Sequence, residues 1–427
     1  MLKRRTPFVL CLSLLLLLVG FAPYAHSQEE ITLLYWDTYD AENADRAAIV
    51  ENIIARFEAD HPNVDIVREV WDFDALKPLV NTALASGTGP DILLYGTGAG
   101  FMGPLIDANL LLSLDPYVDQ YAWRDRIYPW TWESVTFDGH VYAIGHELEM
   151  IGVYYNKDIF AELGLEVPTT YDEFLAILQA TKDAGYIPLA FANKDGWPAY
   201  HMFSSFTNVL EGKEAMDELL AGTRPWTDEA VVQAIQMGFV DLNEAGYFIP
   251  SPNALDYDEG NIMFYTGLAA MHHTGMWLYG DIIANSDFEV GFFALPAIGD
   301  HPSLPPGGMG SGVMISSATD HPDEAAAFLD LFFSEELAQT WIEDGNTIPP
   351  VDVDPAQFDL DPLFLSFAQT IRDASTGGGG LGYNIDVYTP LEFNNIMNEG
   401  FQAVLNGDRS PQEQAEALQA AWDAYYD

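Results

Sequence analysis

Ile31-Thr32-Leu33-Leu34-Tyr35-Trp36 opens the stretch that decides the fold, and Asp91-Ile92-Leu93-Leu94-Tyr95 closes it. Both are short apolar, β-prone runs of the kind that form buried strands. Between them Ile49, Ile53 and Phe57 recur every four residues, with Val50 and Ile54 beside them, which predicts a helix with one apolar face. His61-Pro62-Asn63 stops that helix, and Val64 to Val70 alternates as a second strand. A second helix is expected over Ala75 to Ala85, broken by Gly87-Thr88-Gly89-Pro90. Strand, helix, strand, helix, strand is the pattern of a parallel sheet covered by helices.

The same alternation returns downstream. Val141 to Tyr155 holds strand-like runs, Ile187 to Phe191 is a short strand, and Phe288 to Pro296 is strand-like again. Thr170-Tyr171-Asp172-Glu173 and Ser410-Pro411-Gln412-Glu413 are capping boxes that open helices. Asp323 and Glu324 sit in the first turn of a helix running to Phe333. Gly377 to Gly380 is the low-complexity tract and reads as a flexible loop, a possible gate if it borders a cleft.

The 427 residues allow two or three compact units, and 49% hydrophobic residues suffice for sizeable cores. Acidic side chains outnumber basic ones by 65 to 16, so a polyanion would be repelled over most of the surface and no nucleic-acid partner is expected. Lys3, Arg4 and Arg5 precede an apolar run from Phe8 to Val19, and Ala25-His26-Ser27 offers small residues before a cut. Residues 1–27 therefore read as a signal peptide rather than a membrane anchor, since the apolar run is short for a full span. Its removal would take the formal net charge of −49 to −52, because it carries three basic and no acidic residues. It would also take Cys11, the single cysteine, which lies inside the apolar run and not after it. The expected product is secreted across the cytoplasmic membrane to the periplasm or cell exterior, soluble rather than lipid-anchored, without disulfide or thiol chemistry.

Several segments, in order, resemble the sugar-binding subunits of ABC importers, the extracellular solute-binding proteins of family 1. They are Phe57-Glu58-Ala59-Asp60-His61-Pro62-Asn63-Val64, Ala83 to Ile92 with its Pro90-Asp91, Tyr154-Tyr155-Asn156-Lys157-Asp158-Ile159-Phe160, Gly267-Leu268-Ala269-Ala270-Met271, and Gly275-Met276-Trp277. The resemblance implies a bilobal α/β fold of the periplasmic-binding-protein type II, with a ligand cleft between lobes and chain crossings near Ala143–Glu149, Phe288–Leu295 and Phe333–Leu337. One lobe is then expected to hold residues 28–145 with 290–334, and the other 146–289 with 335–427. It further implies a receptor, not an enzyme, that captures a neutral mono- or oligosaccharide and delivers it to the membrane permease subunits of an importer. A monomer without cofactor or metal is expected.

In open α/β sheets ligands sit beyond the carboxyl ends of strands. That rule selects Trp36, Asp37 and Tyr39 after the first strand and Tyr95 in the third, and at the first crossing it selects Glu147 and Glu149. Aromatic faces suit the C–H face of a pyranose, and carboxylates accept from its hydroxyls. Trp277 matches the Gly-x-Trp position of the resemblance, with a core tryptophan as the competing reading. Trp197 stands in the polar turn Lys194-Asp195-Gly196-Trp197-Pro198. Gly308, in Pro305-Pro306-Gly307-Gly308-Met309-Gly310, lets backbone approach a ligand, and Tyr383 follows the glycine tract.

Other chemistry is weaker. Glu147 with Glu149, or Asp37 with Asp91, has the composition of a glycosidase pair, but 65 acids produce such pairs by chance. A secreted ligand sensor is the other alternative, since fold does not dictate function. His272-His273 lacks a spaced partner for a transition metal, and Asp352, Asp354, Asp359 and Asp361 fit no EF-hand spacing.

Overall fold

Thirteen strands carry the architecture of the computed structural model, which describes residues 30–39, 43–376 and 381–426. The expected signal peptide and the tract Gly377 to Gly380 lie outside the described residues. In chain order the strands are β1 (Ile31–Asp37), β2 (Val64–Val70), β3 (Ile92–Gly96), β4 (Thr136–Phe137), β5 (His140–Val141), β6 (Ala143–Gly145), β7 (Leu148–Asn156), β8 (Ile187–Ala190), β9 (Ala269–Gly275), β10 (Val290–Phe293), β11 (Pro306–Met309), β12 (Ser311–Ile315) and β13 (Gly382–Tyr383).

The first sheet has the order β2-β1-β3-β12-β6. Its β2, β1 and β3 are parallel, with Ile31 opposite Val64 and Tyr35 opposite Ile92. The intervening helix, Ala44–Asp60, buries Ile49, Val50, Ile53, Ile54 and Phe57 against it. That helix ends where Pro62 forbids its continuation; His61 stacks on Phe57 at 4.1 Å and its N–H bonds the Phe57 carbonyl. The second helix, Phe73–Ser86, is capped by the Asp72 side chain and closed by Gly87 at φ 70°, a conformation that glycine adopts without strain.

The second sheet is built around β7, in the order β13-β11-β7-β9-β8. One edge of β7 pairs with β9; along its other edge Met150 faces Gly307 of β11 and Val153 faces Phe293 of β10. Residues 290–309 therefore belong with the second sheet. The sequence-based expectation put them in the first lobe, with a crossing near Phe288–Leu295. An apolar strand run says that it is buried but not which strand it will pair with, and here the nine residues of β7 offer an edge long enough for both β10 and β11.

The chain passes between sheets at three places. His146 and Glu147 link β6 to β7, and Gly310 links β11 to β12. The third passage also differs from the expected Phe333–Leu337. The helix Glu335–Glu343 still packs with the first sheet's elements, its Trp341 lying 5.4 Å from Phe332 and 6.0 Å from Tyr39. The helix Pro362–Ser375 sits on the second sheet, with Phe367 4.8 Å from Phe292. The passage therefore runs through residues 344–361. The three passages touch: the His146 N–H bonds Ser311 O at 3.0 Å, and the Leu148 N–H bonds Ile348 O at 2.8 Å.

Candidate ligand cleft

The carboxyl ends of β1, β2 and β3 carry aromatic rings. Trp36 is buried against Trp71, which follows β2, at 4.9 Å between rings, and neither indole N–H makes a hydrogen bond. Tyr95 meets Phe101 edge-on at 5.8 Å, and Phe73 lies 6.0 Å from both. Lys77 spans this shelf, its Nζ 4.7 Å from the Phe73 ring and 6.0 Å from Phe101.

A second aromatic nest forms on the elements of the other sheet. Trp197 begins the helix Trp197–Leu220, and Trp277 follows β9. Folding brings these two distant residues to 6.3 Å, with Tyr257 4.3 Å from Trp197 and His201 4.9 Å from Trp277. The Trp277 N–H donates to the Tyr257 hydroxyl at 2.9 Å, which also meets Thr274 Oγ1 at 2.7 Å. Trp277 lies directly over Gly275: a Cβ there would sit 1.8 Å from the indole, so only glycine permits this ring position. Trp197, Tyr257 and Trp277 are half-buried, leaving surface for a ligand. Burial lowers the His201 pKa to about 3, with the charges of His273 and Lys77 adding to the shift, so the ring is neutral.

Carboxylates stand at the first passage and on β7 beside it. Glu147 is buried and pairs with Arg46 at 2.8 Å. Burial and the neighbouring Glu147 push the Glu149 carboxyl well above the usual carboxylate range, while Arg46 pulls it back. A Cβ on Gly310 would lie 2.5 Å from Glu149 Oε2, so the glycine admits this carboxyl. Gly308 faces Glu149 in the β11–β7 ladder, and a Cβ added to it would meet nothing within 4 Å although the residue is buried.

Asp386, in the turn Ile385–Tyr388, is buried with Oδ1 unbonded, and burial raises its pKa from 3.8 to about 6. A carboxyl whose folded pKa is raised stabilises the fold fully below its unfolded pKa, and that contribution is lost as pH rises to the folded one. Asp386→Asn is therefore expected to flatten the fall in melting temperature between pH 4 and 6. By the same pKa difference, its gain at neutral pH is on the order of 3 kcal/mol. Melting curves at several pH values check this; an unchanged slope would refute it.

Three selected residues take other roles. Asp37 is fully buried with both oxygens engaged by Arg68 at 2.8 and 2.9 Å, and Oδ1 also accepts the Tyr39 N–H at 3.2 Å, so it anchors β1 to β2 instead of presenting a free acceptor. Tyr39 is buried 6.0 Å from both His146 and Trp341, within the packing around the chain passages. Tyr383 donates its hydroxyl to Asp217 and lies under Lys213, 4.0 Å from the ring, with Tyr388 at 5.0 Å. It is not part of the Trp197–Trp277 nest.

Sequence reasoning missed Trp71, Lys77, His201, Tyr257, Arg46 and Asp386. Trp71 was within reach of the strand-end rule, standing one residue past β2. Tyr257 and His201 carry no such signal, because their closeness to Trp277 depends on how helices pack. The adjacent histidines turn to different partners: His272 reaches Ala190 O and Asn261, and His273 Nε2 meets Ser205 Oγ at 2.9 Å. A polar hollow of about 400 Å³ lies elsewhere, lined by residues such as Asn243, Asn253 and Asn406. It offers no aromatic face, and Asn253 is already bonded to Gln402 and Asn406.

Two sheets joined by three passages, with aromatic shelves from both, define the class of two-lobed ligand receptors. Residues 40–339 match the family of bacterial extracellular solute-binding proteins, and the chain belongs to that family. It is 24% identical to the multiple sugar-binding protein of Streptococcus mutans, over 75% of this chain and 76% of that one. It is 25% identical to an uncharacterized ABC transporter extracellular-binding protein of Pyrococcus horikoshii, over 70% and 68% respectively. A solved chitin oligosaccharide binding protein superposes with a TM-score of 0.83 at 25% identity, covering 92% of this chain and 98% of that one. The bilobal type II fold expected from the sequence is the fold of the molecule. No described helix is long and apolar enough to cross a membrane.

Proposed function

We propose that this protein is the extracytoplasmic receptor of an ABC importer, that its ligand is a neutral mono- or oligosaccharide, and that it does not turn that ligand over. Among the described residues, one lobe comprises 30–39, 43–145 and 311–343, the other 148–309, 362–376 and 381–426. The observation that carries the reading is the half-buried nest of Trp197, Tyr257 and Trp277, together with the Trp36–Trp71 shelf whose indole N–H groups are unbonded. In this reading such faces stack on pyranose rings, and the Asp386 and Glu149 carboxyls hydrogen-bond the sugar hydroxyls. Delivery to permease subunits, action as a monomer and export without a lipid anchor are part of the same proposal. The hydrolase reading has little support, because Glu147 is occupied by Arg46 and is not poised as an acid or nucleophile.

A thermal-shift screen against malto-, xylo- and chitin oligosaccharides, raffinose, amino acids and peptides tests this. A sugar present at 100 times its Kd adds about 2.7 kcal/mol to stability and raises Tm by several degrees. The same sugar is expected back intact after incubation, and solution scattering is expected to show a smaller radius of gyration with it bound. Stabilisation by amino acids or peptides alone would overturn the sugar assignment, and steady hydrolysis would overturn the receptor assignment.

A further inference from the structure

Arg46 occupies an unusual place. It stands in the first turn of the helix Ala44–Asp60, yet its side chain is only 9% exposed, in a chain with few basic residues to spare. Its Nη2 pairs with Glu147 of the first passage at 2.8 Å, and its Nε donates to the carbonyl of Gly345 in the third passage at 3.2 Å. The guanidinium lies 5.8 Å from the Tyr39 ring. Gly345 is held close: a Cβ on it would meet Ile49 at 2.8 Å and Trp341 O at 2.9 Å. Beside Glu147, Glu149 touches Gly310 of the second passage. One cation therefore bonds both the first passage and the third.

We infer that Arg46 is a positioning residue of the hinge, a single buried charge that fastens the first passage to the third and thereby sets the direction of Glu149 into the cleft. A guanidinium does both tasks in a fixed geometry, since its rigid fork presents separate N–H groups to a carboxylate and to a carbonyl at the same time. An ammonium keeps the charge but is a point donor on a flexible stem. The groups that face Arg46 are Glu147, Glu149, Tyr39 and Asp281, with His146 beside it and Asp386 beyond Glu149. His146, caged by Phe332 and Trp341, has its pKa pushed down to about 3 by burial and then by Arg46, so it supplies no competing charge at neutral pH. The consequence for sugar capture rests on the proposed function; the fastening does not.

The test is made without sugar, so its outcome is independent of whether any sugar binds. Melting temperature is measured from pH 4.5 to 8, and the inter-lobe distance distribution is measured with nitroxide labels on Asp65→Cys and Asp172→Cys in a Cys11→Ser background. Arg46→Met leaves buried carboxylates uncompensated, so their folded pKa values rise and stability is lost as pH increases. A deficit of about 5 °C at pH 8 is expected, shrinking towards pH 4.5. Adding Glu147→Gln is expected to remove much of that pH dependence. Arg46→Lys is expected to keep the native pH profile and still broaden the distance distribution, because the bond to Gly345 is lost. A deficit equal at every pH and not relieved by Glu147→Gln would overturn the charge role. A native distance distribution in Arg46→Lys would overturn the fastening role. If Arg46→Met fails to fold, Arg46→Lys and the double variant decide both points.

Discussion

Trp277→Ala is expected to weaken binding of the sugar that gives the largest thermal shift by about a hundredfold, while melting changes little. An indole face covering a pyranose removes apolar area worth on the order of 2–3 kcal/mol at about 25 cal/mol per Å², and each 1.4 kcal/mol is about tenfold in affinity. The geometry supports a stacking role over a core one. Trp277 is half-buried, its N–H is spent on Tyr257, and Gly275 beneath it leaves the ring flat against backbone. The ring is thus oriented from below and from its edge. A core tryptophan would behave differently, costing about 3–5 kcal/mol of stability when truncated. Trp341 and Trp123, which are fully buried, are the internal controls. Calorimetry and melting on the same variant separate the readings: retained affinity in a folded protein, or a collapse of Tm, would exclude the stacking role.

Arg68→Met is expected to act on stability. Asp37 is fully buried and Arg68 is 10% exposed, and their contact is a two-pronged pair between β1 and β2 that also bonds the Tyr39 carbonyl. Removing one partner of such a pair leaves a buried charge without compensation and costs about 3–5 kcal/mol. Burial already holds the Asp37 carboxyl above its ordinary range, with Arg68 pulling it down. Without Arg68 that pKa rises further, so the deficit is deepest at neutral pH and is regained as pH falls and the carboxyl protonates. Adding Asp37→Asn is expected to restore part of the loss. Equilibrium denaturation at pH 5 and 8 measures this. A deficit below about 1 kcal/mol at both pH values would mean that the pair acts like an exposed one. Were Asp37 instead a sugar acceptor, Arg68→Met would change affinity and leave stability nearly intact.

These two residues also mark what could be read in advance. Trp277 could be singled out as a candidate because Gly275-Met276-Trp277 is a local pattern, and local patterns survive in sequence. Asp37 was selected by the correct rule, that ligands gather at strand carboxyl ends, but its partner lies 31 residues away. Whether a carboxylate at a strand end faces a cleft or a guanidinium depends on which strand lies alongside. The same limit moved two of the three chain passages. Phe288 to Pro296 is plainly a strand in sequence, and its place beside β7 follows from edge pairing, which leaves no mark on the strand itself.

The sequence by itself determined the alternation of strands and helices from Ile31 to Tyr95, the capping boxes at Thr170 and Ser410, the acidic balance, and the family to which the chain belongs. Periodicity, caps and turn residues act over a few positions, so their physics is written locally. Only the tertiary structure decided that Trp197, His201, Tyr257 and Trp277 form one nest and that Trp71 joins Trp36. It alone put Arg46 between the first passage and the third. Those contacts join residues far apart in sequence, and they form because burying rings and compensating charges is favourable only once two sheets have brought them together.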